Sequence, residues 1–260
     1  MNGAASWGAV EPSTGPPPAP RYALYYAPRP EEGLAAAAGQ WLGRNPDTGQ
    51  SRALKPSPDF SAERLGEITA EPRLYGFHGT LKAPMALGDD VTERDLLAAV
   101  GSFTAARRPF VVPSMTLACL SGFLALVPAG PSPESQDLAD ACVIEFDAFR
   151  RPAPATELAR RRAAGLSPRQ EELMLRWGYP YVLEEWRFHL TLTGRIRDQD
   201  ERAAIGDLLR GQFSGFIERP LAVRDLCVFR QPAPGRAFTV LARFSLGGGR
   251  RVSSEVWRAP

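Results

Sequence analysis

The sequence predicts an α+β fold of two related lobes, each with an antiparallel sheet and flanking helices, whose central strands face one another across a cleft. Three observations carry this. A pattern F-H-x-T-L occurs twice, as Phe77-His78-Gly79-Thr80-Leu81 and Phe188-His189-Leu190-Thr191-Leu192, and the two copies hold the only histidines in 260 residues. The same order of strand, helix, strand and strand surrounds each copy. A proline opens the strand after each helix, Pro109 and Pro220, each 31 residues beyond its histidine; proline fits a strand's first position, which needs no ladder donor. With ordinary residue frequencies, Phe, Thr and Leu would fall at those offsets around one chosen histidine about once in several thousand trials. The copies therefore read as an internal duplication with an offset of 111 residues, and the histidines as opposite walls of a pseudo-twofold site, with imidazoles on the order of 5–8 Å apart if both reach one phosphate.

Both copies alternate with period two, as half-buried strands do. His78, Thr80 and Lys82 share one polar face, and Arg187, His189, Thr191 and Thr193 share the other. Arg195 joins them if the second strand runs that far. Such faces cannot sit in a dry core without partners. Imidazole, hydroxyl and cation are the groups that bind and process phosphate. His78 and His189 are the candidate acid and base, with Thr80 and Thr191 donating to non-bridging oxygens. Lys82, Thr193, Arg187 and Arg195 are candidate substrate-binding groups, and Tyr22, Tyr75, Tyr179 and Tyr181 are candidates to cover a sugar. The competing reading of Arg187 and Arg195 is that they reach out to solvent.

In chain order, residues 1–20 are rich in Pro, Gly, Ala and Ser and read as a disordered extension. Residues 21–27 read as a strand, 31–42 as an Ala-rich helix with acidic residues in its first turn, and 43–58 as a loop. Ser61 caps a short helix to Ile68. The first histidine strand is expected over 74–83, stopped by Pro84. Thr92 caps a helix to Arg107. Residues 110–120 and 123–127 form a hairpin about Ser121-Gly122. Residues 128–133 form a linker between a first lobe, about 21–130, and a second, about 131–260. Helices follow over 135–149 and 167–177, separated by an Arg- and Ala-rich stretch without an apolar stripe. The second histidine strand is expected over 181–194, then a helix over 200–216, a strand pair over 221–230 and 237–246, and a last strand over 252–257.

Composition narrows the function. Hydrophobic content of 44% and charged content of 23% fit a soluble globular protein. A net charge of +2 argues against a nucleic-acid stripe or a membrane-binding face. No apolar run approaches a membrane span, and the N-terminus lacks a secretory pattern. Cys119, Cys142 and Cys227 are scattered, without metal-ligand spacing, and read as buried reduced thiols of a cytoplasmic protein. No metal and no cofactor are expected. Of 31 basic residues only Lys55 and Lys82 are lysine.

The paired motifs His78-Gly79-Thr80 and His189-Leu190-Thr191 resemble the two-histidine (2H) phosphoesterase superfamily, with its pair of H-x-[ST] strands in a bilobal fold. Several flanking words are similar to one phosphonate-metabolism branch, encoded beside carbon–phosphorus lyase genes. These are Arg21 to Tyr26, Trp41-Leu42-Gly43-Arg44 with Asp47-Thr48-Gly49, Tyr75 to Pro84, Trp177 to Val182, and Glu184 to Gly194. The resemblance covers about residues 21–246. Gly79 stands where Ala or another small residue is expected and is taken to point outward. The resemblance implies metal-independent hydrolysis of a cyclic phosphodiester, and for this branch a cyclic ribose phosphate, with other phosphonate-utilisation enzymes as partners. Convergent cations would call for a second negative charge, as on a ribose with a 5-phosphate and a 1,2-cyclic phosphate. The alternatives are a 2′,3′-cyclic nucleotide or RNA-end phosphodiesterase and a non-catalytic phosphosugar or nucleotide binder.

Overall fold

Residues 19–252, apart from residue 164, are described by the structure, a computed structural model. The extension expected over 1–20 falls almost wholly outside them, as does the last strand expected over 252–257 beyond its first residue.

Strand β1 (Arg21–Tyr26) is buried along nearly its whole length. Helix α1 (Gly33–Leu42) follows, with Glu32 as its N-cap residue rather than in its first turn. Ser61 caps α2 (Ala62–Ile68) by accepting from the Arg64 amide at 3.1 Å. A further helix, α3 (Ala70–Tyr75), occupies the start of the expected first histidine strand. Pro72 is tolerated there because first-turn amides have no intrahelical partner. Strand β2 (Gly79–Ala86) then runs through Pro84 instead of stopping at it. The strand lies at a sheet edge, and Pro84 falls in the register shift between the Lys82–Leu24 and Met85–Tyr22 pairs, where it has no partner residue on β1.

Thr92 and Asp95 form a capping box at the start of α4 (Glu93–Ala105). Short β3 (Phe110–Val112) leads to the hairpin β4 (Met115–Leu120) and β5 (Phe123–Pro128). Its turn residues Ser121 and Gly122 both have positive φ, at 49° and 95°, as a tight two-residue hairpin requires. Helices α5 (Pro133–Glu145), α6 (Ala155–Arg162) and α7 (Pro168–Trp177) come next. Helix α6 lies in the stripe-free stretch and buries no residue. The second histidine strand, expected over 181–194, is only β6 (Leu190–Thr191), because a 3₁₀ turn takes Leu183–Glu185. Helix α8 (Gln199–Gln212) precedes β7 (Leu221–Val223), β8 (Asp225–Gln231), β9 (Thr239–Ser245) and β10 (Arg250–Val252). No described helix is long and apolar enough to cross a membrane.

The strands form a five-stranded sheet in the order β10-β9-β8-β1-β2, a three-stranded sheet β4-β5-β6 and the pair β3-β7. All pairings are antiparallel. Lobes divided at about residue 130 are not what forms. The first histidine strand shares its sheet with the C-terminal strands, and the second pairs with the β4–β5 hairpin of the first half. The first half adds β1 and β2 to the β8–β9 hairpin through the β1–β8 pairing, and the second half adds β6 to the β4–β5 hairpin. The duplication is nevertheless visible in β3-β7. Val111 pairs with Ala222, 111 residues on and so its own counterpart, flanked by Phe110 with Val223 and Val112 with Leu221. Equivalent strands running antiparallel through one such pair are what a twofold axis produces.

A single large core joins both sheets, with Phe77, Leu81, Phe188, Leu190 and Leu192 buried in it. The two histidine strands meet there at their free edges. The Trp186 indole donates to the Thr80 carbonyl and the Trp41 indole to the Leu192 carbonyl, each at 2.7 Å. Gly79 is not outward-facing. A Cβ placed on it would lie 2.8 Å from a Phe188 ring carbon and 3.1 Å from a Leu190 methyl. Cys142 and Cys227 are buried, but Cys119 is exposed on β4, because that edge strand of the three-stranded sheet leaves it uncovered.

Gly79→Ala should therefore lower unfolding stability by about 1–3 kcal/mol, the ordinary cost of overpacking. An unchanged urea midpoint would show that the strand edges do not meet at Gly79.

Candidate active site

His78 follows α3 through Gly76, whose φ of 76° turns the chain from helix toward strand. A Cβ there would meet Pro46 at 2.7 Å, so only glycine fits. The freed Gly76 carbonyl lies 2.8 Å from His78 Nδ1. In the second copy the Arg187 carbonyl lies 2.8 Å from His189 Nδ1. Each histidine thus donates Nδ1–H to the carbonyl two residues before it, which fixes the tautomer and leaves Nε2 with its lone pair. Thr80 Oγ1 stands 3.2 Å from His78 Nε2.

Both imidazoles line one cavity of about 580 Å³, with Thr80, Thr191 and Thr193. Burial pushes the His78 pKa down to about 4, opposed by the Gly76 hydrogen bond and reinforced by His189. Burial also lowers His189, against the Arg187 carbonyl. In the absence of an anion, both rings are neutral at pH 7.

Of the candidates read from the sequence, His78, His189, Thr80, Thr191, Thr193, Tyr75, Tyr179 and Arg195 line this cavity. The Thr193 hydroxyl is engaged by the Leu124 amide at 2.9 Å. Lys82, Arg187, Tyr22 and Tyr181 do not line it. Lys82 is 3% exposed and donates to the Val143 carbonyl at 2.9 Å, with Asp147 at 3.4 Å. Its displacement follows from register. Tyr25 pairs with Thr80 and Leu24 with Lys82, so Leu81 is an extra residue that resets the alternation. Arg187 spends its guanidinium on the carbonyls of Glu184 and Trp186, at the end of the 3₁₀ turn that replaced the strand. Tyr22 lies on the opposite face of β1 from Tyr25, packed in the main core, and its hydroxyl donates to Glu93 at 2.8 Å. Tyr181 is exposed and packs edge-on against Tyr179.

Tyr25, Arg21, Arg160, Arg161 and Tyr179 complete much of the wall, with Glu71 as its one carboxylate. The Tyr25 ring stacks on His78 with centroids 3.9 Å apart and planes at 25°. Phe123 approaches His189 at 5.7 Å. Tyr179 was legible as one of the aromatic candidates. The others carry no motif of their own. Tyr25 becomes visible only once β1 is known to pair with β2.

The family described as "Protein of unknown function (DUF1045)" matches residues 80–239. The chain is 39% identical over 237 residues to a protein of Janthinobacterium sp. (strain Marseille) named ribose 1,5-bisphosphate phosphokinase PhnN, covering 90% of this chain and 52% of that protein. A protein of the same name from Laribacter hongkongensis (strain HLHK9) is 36% identical over 220 residues, covering 84% and 50%. The chain spans about half the length of these curated relatives. Among solved structures, E. coli LigT complexed with phosphate aligns with a TM-score of 0.37 at 14% identity, over 88% of this chain and 98% of that one. E. coli LigT complexed with 3′-AMP aligns with a TM-score of 0.36 at 15% identity, over 87% and 98%.

The histidine shifts give a testable sign. Folded His78 takes a proton only below about pH 4, whereas the unfolded side chain takes it near 6.5. The unfolded state binds more protons between those values, so stability falls as pH drops through that window. His78→Gln should shrink the loss of urea midpoint between pH 7 and pH 5. An undiminished loss would mean that His78 is not held neutral.

Proposed function

The chain belongs to the DUF1045 family, and from its own site we propose that it hydrolyses a cyclic phosphodiester by a histidine pair without a metal. The observation that carries this reading is the matched arrangement of His78 and His189 on one cavity, each with Nδ1 bound to a carbonyl two residues back. An anionic phosphate entering between two neutral imidazoles raises their proton affinity, and one takes up a proton. The neutral ring accepts a proton from water as the water oxygen bonds to phosphorus. The protonated ring gives its proton to the ester oxygen as the ring P–O bond breaks. Thr80 and Thr191 donate to the non-bridging oxygens, where charge grows in the transition state. The resemblance to 2H phosphoesterases supports the same assignment.

The substrate we favour is a cyclic ribose phosphate formed in phosphonate breakdown. The relatives' name refers to ribose 1,5-bisphosphate. Water opening a 5-phosphoribosyl 1,2-cyclic phosphate at the 2-oxygen yields that compound. The kinase activity in the name does not come over to this chain. Neither Lys55 nor Lys82 stands in the glycine-rich G-x-x-x-x-G-K-[ST] loop that cradles ATP in many kinases.

His78→Ala or His189→Ala should each reduce turnover by about 10²–10⁴-fold, the usual worth of a general acid or base. Fold retention is checked by circular dichroism; either variant retaining full rate would remove that histidine from the mechanism.

Among the described residues no group of three His, Cys, Asp or Glu could hold a metal ion. Activity on a panel of cyclic phosphodiesters should therefore persist in EDTA. Loss in chelator with recovery on adding a divalent ion would overturn the two-histidine mechanism, and a preference for 2′,3′-cyclic nucleotides would move the substrate to that class.

A further inference from the structure

Three tyrosines, Tyr25, Tyr75 and Tyr179, line the cavity on the His78 side, and among the described residues none of their hydroxyls has a hydrogen-bond partner. Tyr25 is 1% exposed. Among the described residues the fully enclosed side-chain atoms without a partner are Tyr26 Oη and Arg230 Nε, so the Tyr25 hydroxyl keeps access to the cavity that its residue lines and can donate to a ligand there. The phenols are near enough to perturb one another electrostatically, which places them in one patch.

One face of each ring is already taken. His78 stacks on Tyr25, Phe238 stacks on Tyr75 at 5.3 Å and 17°, and the Arg161 guanidinium sits 5.0 Å from the Tyr179 centroid. Besides its rings this wall offers three hydroxyls, which are hydrogen-bond donors. Charge points the same way. Four arginines against one glutamate line the cavity, and Arg160 has no ion pair or hydrogen bond among the described residues. A cyclic phosphodiester held between the histidines brings only one negative charge.

We propose that Tyr25, Tyr75 and Tyr179, with Arg160 and Arg161, form a second, non-reacting subsite that takes a phosphomonoester of the substrate. The proposal rests on the phosphodiesterase reading for the identity of the reacting group, but its binding test does not. The phenols donate to the phosphomonoester oxygens and the arginines supply counter-charge. Helix α6 carries both arginines and buries no side chain; Arg161 shares its guanidinium with Glu157 at 2.7 Å and Arg162 pairs with Glu171, which leaves Arg160 as the arginine of this helix without an ion pair among the described residues.

Calorimetric titration with ribose 5-phosphate tests this directly, because each Tyr→Phe change keeps the ring stacking and removes only the O–H. Tyr25→Phe and Tyr179→Phe should each weaken binding about 10-fold or more, the range for hydrogen bonds to charged groups. Arg160→Ala should weaken it as well, and His189→Ala should weaken it less than the Tyr→Phe changes do. Unphosphorylated ribose should bind far more weakly than ribose 5-phosphate. Binding that falls in His189→Ala but not in the phenylalanine variants would place the phosphomonoester at the histidines and overturn the subsite. Equal binding of ribose and ribose 5-phosphate would overturn it too. In turnover, the preference of the wild type for a cyclic ribose phosphate bearing a 5-phosphate over one lacking it should shrink in Tyr25→Phe. Undetectable turnover of both, with the binding pattern intact, would count against the phosphodiesterase reading and leave the subsite standing.

Discussion

Two buried sheet edges must meet without pairing, and two indoles make that possible. Each histidine strand is the last strand of its sheet, so each carries carbonyls with no ladder partner where the sheets come together. Buried carbonyls left bare would cost more than the contact returns. Trp186 supplies the donor for Thr80 and Trp41 the donor for Leu192, each tryptophan coming from the opposite half of the sequence. Gly79 permits the approach by leaving room for Phe188 and Leu190. Because the capped carbonyls lie within the two H-x-T motifs or at their border, the bonds that close the interface also set the position of the imidazoles.

The electrostatics follow from that closure. Sealing the edges desolvates both rings and lowers their proton affinity, while the carbonyls two residues back hold each Nδ1–H. The site therefore waits uncharged, with two lone pairs aimed at the cavity and cations on its rim. On the proposed reading, charge arrives with an anionic substrate, whose field would protonate one ring. A buried imidazolium before binding would need a carboxylate beside it, and neither histidine has one among its hydrogen-bond partners.

Much of the architecture was legible because it rests on local chemistry. The caps at Ser61 and Thr92, the Ser121-Gly122 hairpin and the repeated motif each announce themselves in a few residues. The 111-residue offset foresaw a duplication that the Val111–Ala222 pair makes physical. What the sequence hid depends on register and on crossing over. One extra residue at Leu81 rotated Lys82 out of the cavity and into a buried link with Val143 and Asp147. The exchange of histidine strands between halves has no local signature, so contiguous lobes were the natural but mistaken expectation. Tyr25 and Arg160 reach the site through pairing and through a helix without a buried face, and neither leaves a pattern along the chain.

The chain has two histidines, one in each motif, so histidine nitrogen chemical shifts can be read directly in ¹⁵N-histidine-labelled protein, with one variant to assign them. At pH 7 without ligand, the account predicts two neutral rings, both with the proton on Nδ1, and protonation of one ring when inorganic phosphate is added. Rings protonated on Nε2, or two spectra indifferent to phosphate, would contradict the claim that the pair is preset to receive one phosphate between them.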